Sequence, residues 1–208
     1  MGSYVVAITG ASGSVYGLRL VEQLQVAGHE VTLTVTNMGR EVMAYETGFT
    51  LSRGPGAASE VLAMLELPPT MPLRVIGPDA MFDKVTSGSS CTDAMVVMPA
   101  SMGFCASVAT GLAADLPERA AEVMLKERRP LVLVPRETPL SLVHLKNLTA
   151  LAEAGAVILP AMPAFYHRPK TLDDAVNFVV GRVLDVLGIE HRLFEPWGSQ
   201  GPSGATGY

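Results

Sequence analysis

A chain of 208 residues, 49% hydrophobic and only 17% charged, holds enough apolar matter for one α/β domain with a substantial core, and too few charges to coat a free surface. Its net charge of −5 argues against a nucleic-acid binder, and the one basic run, Lys126-Glu127-Arg128-Arg129, is too short to reverse that. No apolar run reaches the roughly 18 residues of a membrane span and no leader pattern is visible, so a cytoplasmic protein without membrane contact is expected.

Tyr4–Thr9 reads as a first strand that enters a glycine turn and then a helix from Ser14. Val15, Leu18, Val21 and Leu24 have inward spacing, and Gly28 stops the helix. Glu30–Thr36 is a second strand, with Val31, Leu33 and Val35 on one face and threonines on the other. Residues 52–72, rich in Gly, Pro and Ser, form a loop around one short helix, Glu60–Glu66. Ala94–Met98 is a central strand closed by Pro99; Leu131–Val134 and Ala156–Leu159 are continuously apolar, as strands buried on both faces are. Thr138-Pro139 offers a cap and a first-turn proline for a helix through Ser141–Ala154. Thr171 and Asp174 make a capping box for Leu172–Leu187, and the tail over 196–208 is too rich in Gly, Ser and Pro to pack. This alternation predicts a doubly wound parallel sheet with crossover helices. Cys91 and Cys105 fit neither a disulfide framework nor a zinc pattern and read as buried free thiols.

The turn after the first strand departs from both standard nucleotide loops. A dinucleotide fingerprint needs Gly-x-Gly-x-x-Gly, but the glycines here are Gly10, Gly13 and Gly17, with Ser12 at the close-approach position. The second strand ends in Thr36-Asn37 rather than an acidic ribose reader, and Ser14-Val15-Tyr16 is no Walker ending. What remains is a turn whose amides and Ser12 hydroxyl face a helix N-terminus, a seat for one phosphate or another polar group. Glycines placed there only for packing are the alternative.

Three later strands also end in polar residues: Ser101 with Met102 to Phe104, Arg136 with Glu137, and Tyr166-His167-Arg168. In an open α/β sheet such ends share one crevice with the first turn. Taken singly, Arg136–Glu137 could be a surface pair, the basic run a complement to a helix C-terminus, and Tyr166 core packing.

Together "GASGSVYGLRL", "YET", Ser87-Gly88-Ser89, "RAAEVMLKERRPLVLVPRETPL", "GAVILPAMPAFYHRP" and "LDDAVNFVVGRVLD" resemble the UbiX/Pad-type flavin prenyltransferases over residues 4 to 197. The resemblance implies a flavodoxin- or Rossmann-like three-layer αβα enzyme, a single domain over 1–195, assembled as a homo-oligomer, typically a dodecamer. Such enzymes move a dimethylallyl group from dimethylallyl monophosphate to N5 and C6 of reduced FMN, without a metal, and the product serves a UbiD-type decarboxylase. Carried over, Gly10, Ala11, Ser12, Thr36, Ser87, Ser101, Met102, Gly103, Phe104 and Arg136 contact FMN. The prenyl phosphate lies against Arg119, Lys126, Arg136, Tyr166 and Arg182, and Ser12, Glu46, Lys126, Glu137 and Tyr166 are catalytic. Glu137 is expected to pass a proton if burial raises its pKa. Gly103-Phe104 replaces the family's usual threonine, and the 52–72 loop is longer than usual. Competing readings are an FMN-dependent cysteine decarboxylase, an aromatic-acid decarboxylase acting alone, and a non-catalytic FMN carrier. None of His29, His144, His167 or His191 stands where the first of these needs one.

Overall fold

The structure, a computed structural model, describes residues 1–89, 92–195 and 197–198. They fall into two compact units, Met1–Ala161 and a second that starts at Met162.

The N-terminal unit carries the sheet. In chain order it contains β1 (Ser3–Ile8), α1 (Ser14–Val26), β2 (Glu30–Val35), α2 (Asn37–Thr47), α3 (Ala57–Met64) and β3 (Leu73–Ile76). A short 3-10 turn, Lys84–Thr86, leads to β4 (Ala94–Ala100), α4 (Met102–Ala109), α5 (Leu116–Lys126), β5 (Leu131–Pro135), α6 (Leu142–Glu153) and β6 (Val157–Ile158). The strands pair in parallel in the order β3-β2-β1-β4-β5-β6. The winding therefore reverses between β1 and β4, and the crevice beyond their C-terminal ends is where a doubly wound sheet binds ligands.

The central strands are apolar on both faces because helices cover both. Val5 and Ala7 of β1, Met95 and Val97 of β4, and Leu131 and Leu133 of β5 pack in one cluster with Phe104 and Cys105 of α4, Ala120 of α5 and Leu151 of α6. Each aliphatic side chain so buried contributes about 1.5–3 kcal/mol. Against the other face α1 comes close enough that a Cβ on Gly17 would collide with the Met98 carbonyl and the Ile8 side chain. Cys105 is a buried thiol whose desolvation pushes its pKa up to about 12, while Cys91 lies outside the described residues.

Several expectations change in detail. Pro99 does not close β4; the strand continues to Ala100 across a register shift between Val97 and Ala100, where a residue without an N–H costs the ladder nothing. Thr32 and Thr34, on the other face of β2, are buried as well, and Val15, expected to face inward, is 38% exposed. The last strand shrinks to Val157–Ile158, with Val157 39% exposed as suits a sheet edge. Helix α6 is capped by Ser141, whose Oγ accepts from the His144 amide, and not by Thr138.

The second unit is built on α7 (Leu172–Leu187), which begins at the expected box of Thr171 and Asp174 and stops at Gly188 with φ 70°. Tyr166, His167, Phe178, Phe194 and Trp197 form an aromatic cluster in this unit, with His167 stacked on Phe178 at 5.1 Å. Of the tail, Pro196 and 199–208 lie outside the described residues.

Candidate active site

The turn after β1 is organised by a carboxylate from elsewhere in the chain. The residue before α1 is Gly13, which has no side chain with which to cap the helix. Glu46, near the end of α2, takes that place: Gly13 N donates to both carboxylate oxygens at 2.9 and 3.1 Å, and Ser14 N donates to Oε2 at 3.0 Å. The Ser14 hydroxyl adds a bond to Oε2 at 2.7 Å. Burial pushes the Glu46 carboxyl up, but hydrogen bonds from the Ser12 and Ser14 hydroxyls and the Gly13 and Ser14 amides outweigh it and hold the group below its ordinary value. The anion seat expected of this turn exists, and the chain fills it with its own carboxylate.

Two neighbouring helix starts differ. Thr36 caps α2 by accepting from Gly39 N at 3.1 Å, and Ser101 caps α4 by accepting from Phe104 N at 3.2 Å. Neither helix has an acidic residue in its first turn, so the amides and hydroxyls there suit an anionic ester. Backbones approach closely around them. A Cβ on Gly10 would collide with the Met38 side chain, and one on Gly39 with the Ile8 carbonyl. That donor set, two uncompensated helix N-termini at the strand crossover, fits a flavin mononucleotide.

Other strand ends are tied to the same turn. Arg136 Nε donates to the Ser12 carbonyl at 3.1 Å, joining the end of β5 to the glycine turn. Thr9, 2% exposed, donates from its hydroxyl to the Pro99 carbonyl at 2.8 Å and accepts from Ser101 N at 2.7 Å. Glu137 follows Arg136 but is exposed in the single chain and, among the described residues, accepts from the adjacent Thr138 amide at 3.0 Å. The burial on which its expected proton transfer depends is not supplied by the described residues of this chain.

A second group surrounds the end of α5. Arg119 and Lys126, seven positions apart, share one helix face. Arg119 pairs with Glu122 at 2.5 Å and Lys126 with Glu127. The Ser87–Ser89 loop lies against this end, with Arg129 donating to the Gly88 carbonyl at 3.2 Å and the tips of the Lys126 and Glu127 side chains close beside Gly88. Ser87 is thus near Lys126, and its hydroxyl meets that of Ser89 at 2.9 Å.

In the second unit Tyr166 and Arg182 line one cavity of about 1000 Å³, together with Phe178, Phe194 and Trp197. Arg182 pairs with Asp185 at 2.6 Å, and the other Asp185 oxygen meets His191 Nε2 at 3.0 Å. Among the described residues no three His, Cys, Asp or Glu side chains gather as a metal site. Thr9 and Ser14 were not singled out from sequence; each is a short polar residue whose partner stands far away in the chain.

Comparisons with known proteins give the family. The flavoprotein family model matches residues 3–184. The flavin prenyltransferase UbiX of Pseudomonas aeruginosa is 46% identical over 194 residues, which cover 93% of each chain. AnUbiX (PadA1), solved in complex with FMN and dimethylallyl pyrophosphate, is 37% identical with a TM-score of 0.85, over 96% of this chain and 98% of that one. A dodecameric FMN-dependent UbiX-like decarboxylase from Escherichia coli O157:H7 is 38% identical with a TM-score of 0.82, over 94% of this chain and 98% of that one. The chain belongs to the flavoprotein family and, within it, to the UbiX-type flavin prenyltransferases.

Proposed function

We propose that this chain transfers a dimethylallyl group from dimethylallyl monophosphate to N5 and C6 of reduced FMN, and that the product is handed to a UbiD-type decarboxylase. The observation that carries the reading is Glu46, drawn from α2 and fixed at the glycine turn beside Ser12 by the Gly13 and Ser14 donors. A carboxylate held in that way is a defined station for a proton. Bound FMN supplies the nucleophilic ring atoms and an aromatic surface for the prenyl fragment.

The protein's part is to hold and to neutralise. Gly10 to Ser12, Thr36 and Ser87 hold the flavin with Ser101 to Phe104 and Arg136. Lys126, Arg119, Arg136, Tyr166 and Arg182 collect the oxygens of the departing phosphate, which leaves poorly from an allylic carbon without neutralised charge. Ser12 and Glu46 exchange a proton with the reacting ring. Glu137 delivers one to the leaving phosphate or takes one from C6 once an adjoining surface covers it.

Residues 1–195 act as one flavin prenyltransferase domain in a cytoplasmic homo-oligomer, a dodecamer in this reading. Phe82, Leu142 and Val143, all strongly exposed in the single chain, support burial between copies. No helix among the described residues is long and apolar enough to cross a membrane. The donor is read as a monophosphate because the sequence has no Asp-rich motif to hold a diphosphate through metal ions.

Anaerobic incubation with reduced FMN and dimethylallyl monophosphate, followed by mass spectrometry, is expected to give a flavin heavier by one prenyl unit. Bound flavin without that product overturns the assignment. Loss of carbon dioxide from an aromatic acid with this protein and FMN alone would favour the lone decarboxylase.

A further inference from the structure

Ser14 is fully buried, at 0% exposure, in the first turn of α1. Alanine would fill nearly the same space and is at least as good a helix former, so neither packing nor propensity calls for the hydroxyl. Its partner is Glu46 Oε2 at 2.7 Å, shorter than the amide contacts to the same carboxylate at 2.9 to 3.1 Å.

These contacts treat the two oxygens unequally. Oε2 accepts from Gly13 N and from both Ser14 donors, amide and hydroxyl, whereas Oε1 accepts from Gly13 N at 2.9 Å, and the Ser12 hydroxyl also bonds the carboxylate. An oxygen whose lone pairs are engaged by several donors is the weaker base, and a proton goes to the other. The backbone donors cannot be altered by substitution without changing the turn, but the hydroxyl can.

We propose that Ser14 is a positioning residue for prenyl transfer: it locks Oε2 of Glu46 so that the carboxylate exchanges protons through Oε1 alone. This rests on the reading of Glu46 as the proton-handling group of the reaction.

The test uses the full chain loaded with reduced FMN. Ser14→Ala is expected to lower kcat for prenyl transfer about tenfold, with KM for dimethylallyl monophosphate within about twofold of wild type. The thermal midpoint should stay within about 3 °C. In a Glu46→Ala background the same substitution should have no further effect, because the serine acts only through the carboxylate. Glu46→Gln, which keeps an acceptor without basicity, replaces that background if the alanine variant does not fold, with the same expectation. A wild-type kcat for Ser14→Ala overturns the proposal, as does an equal loss with and without Glu46. Full activity in the Glu46 variants would remove the proton-handling reading together with this inference. Impaired Glu46 variants beside a fully active Ser14→Ala remove this inference alone.

Discussion

The glycine turn and the exposed face of α5 handle charge in opposite ways. At the turn a single anion, Glu46, sits among neutral donors fixed in the backbone and in two serines. On α5 the cations Arg119 and Lys126 each sit beside a carboxylate of the same helix or its end, Glu122 and Glu127. Rigid neutral donors hold a charge in one place and keep it ionised. Flexible exposed ion pairs are worth little and exchange partners readily. The first arrangement suits a group that must stay put while a proton moves; the second suits cations that must swap a carboxylate for an incoming phosphate.

Substitutions separate the two arrangements. Glu46→Gln strikes the fixed one, and kcat for prenyl transfer is expected to fall by about 10²–10⁴ with flavin still bound, read as the rate of prenylated flavin formation by mass spectrometry. Lys126→Met strikes the exchangeable one: it removes a charge-assisted bond to phosphate, so KM for the prenyl donor should rise about 10- to 100-fold while kcat changes less. Ser101→Ala tests the contrast from a third side, since α4 depends on its own cap where α1 depends on Glu46. It should cost about 1 kcal/mol in urea unfolding.

The smallest effect is the pH dependence of stability. The Glu46 carboxyl is held below its ordinary value of 4.5, so its contribution is complete above that pH and is lost as the pH falls through the lower folded-state value. The stability difference between wild type and Glu46→Gln in denaturant titrations should therefore be constant near neutrality and shrink only in acid. A difference that shrinks on going alkaline would contradict the hydrogen-bond assignment.

How far this was legible from sequence depends on where each signal lies. The central strands β1, β2, β4 and β5 are continuous apolar runs, and runs of that kind announce themselves locally. Helix α2 went unread because it buries only Gly39 and Met43, too few for a stripe, and α4 because Met102 to Ala109 has no polar face to set a period. Thr138-Pro139 looked like a helix start, whereas the cap lies at Ser141 and uses His144 where glutamate is the usual partner. The Arg136 link to the glycine turn joins residues 124 apart, and the Ser14–Glu46 bond spans 32. Spacing rules reach no further than a turn or two along the chain, so only the three-dimensional structure could reveal these pairs.

The Thr9 hydroxyl has a consequence for how accurately the crevice is assembled. With one oxygen it receives the Ser101 amide and grips the Pro99 carbonyl, at the point where the winding of the sheet reverses. The loops leaving β1 and β4 thus share a hinge pin rather than two separate mountings. Losing that one hydroxyl would therefore leave both the Pro99 carbonyl and the Ser101 amide short of a partner, and would loosen the end of β1 and the start of α4 together.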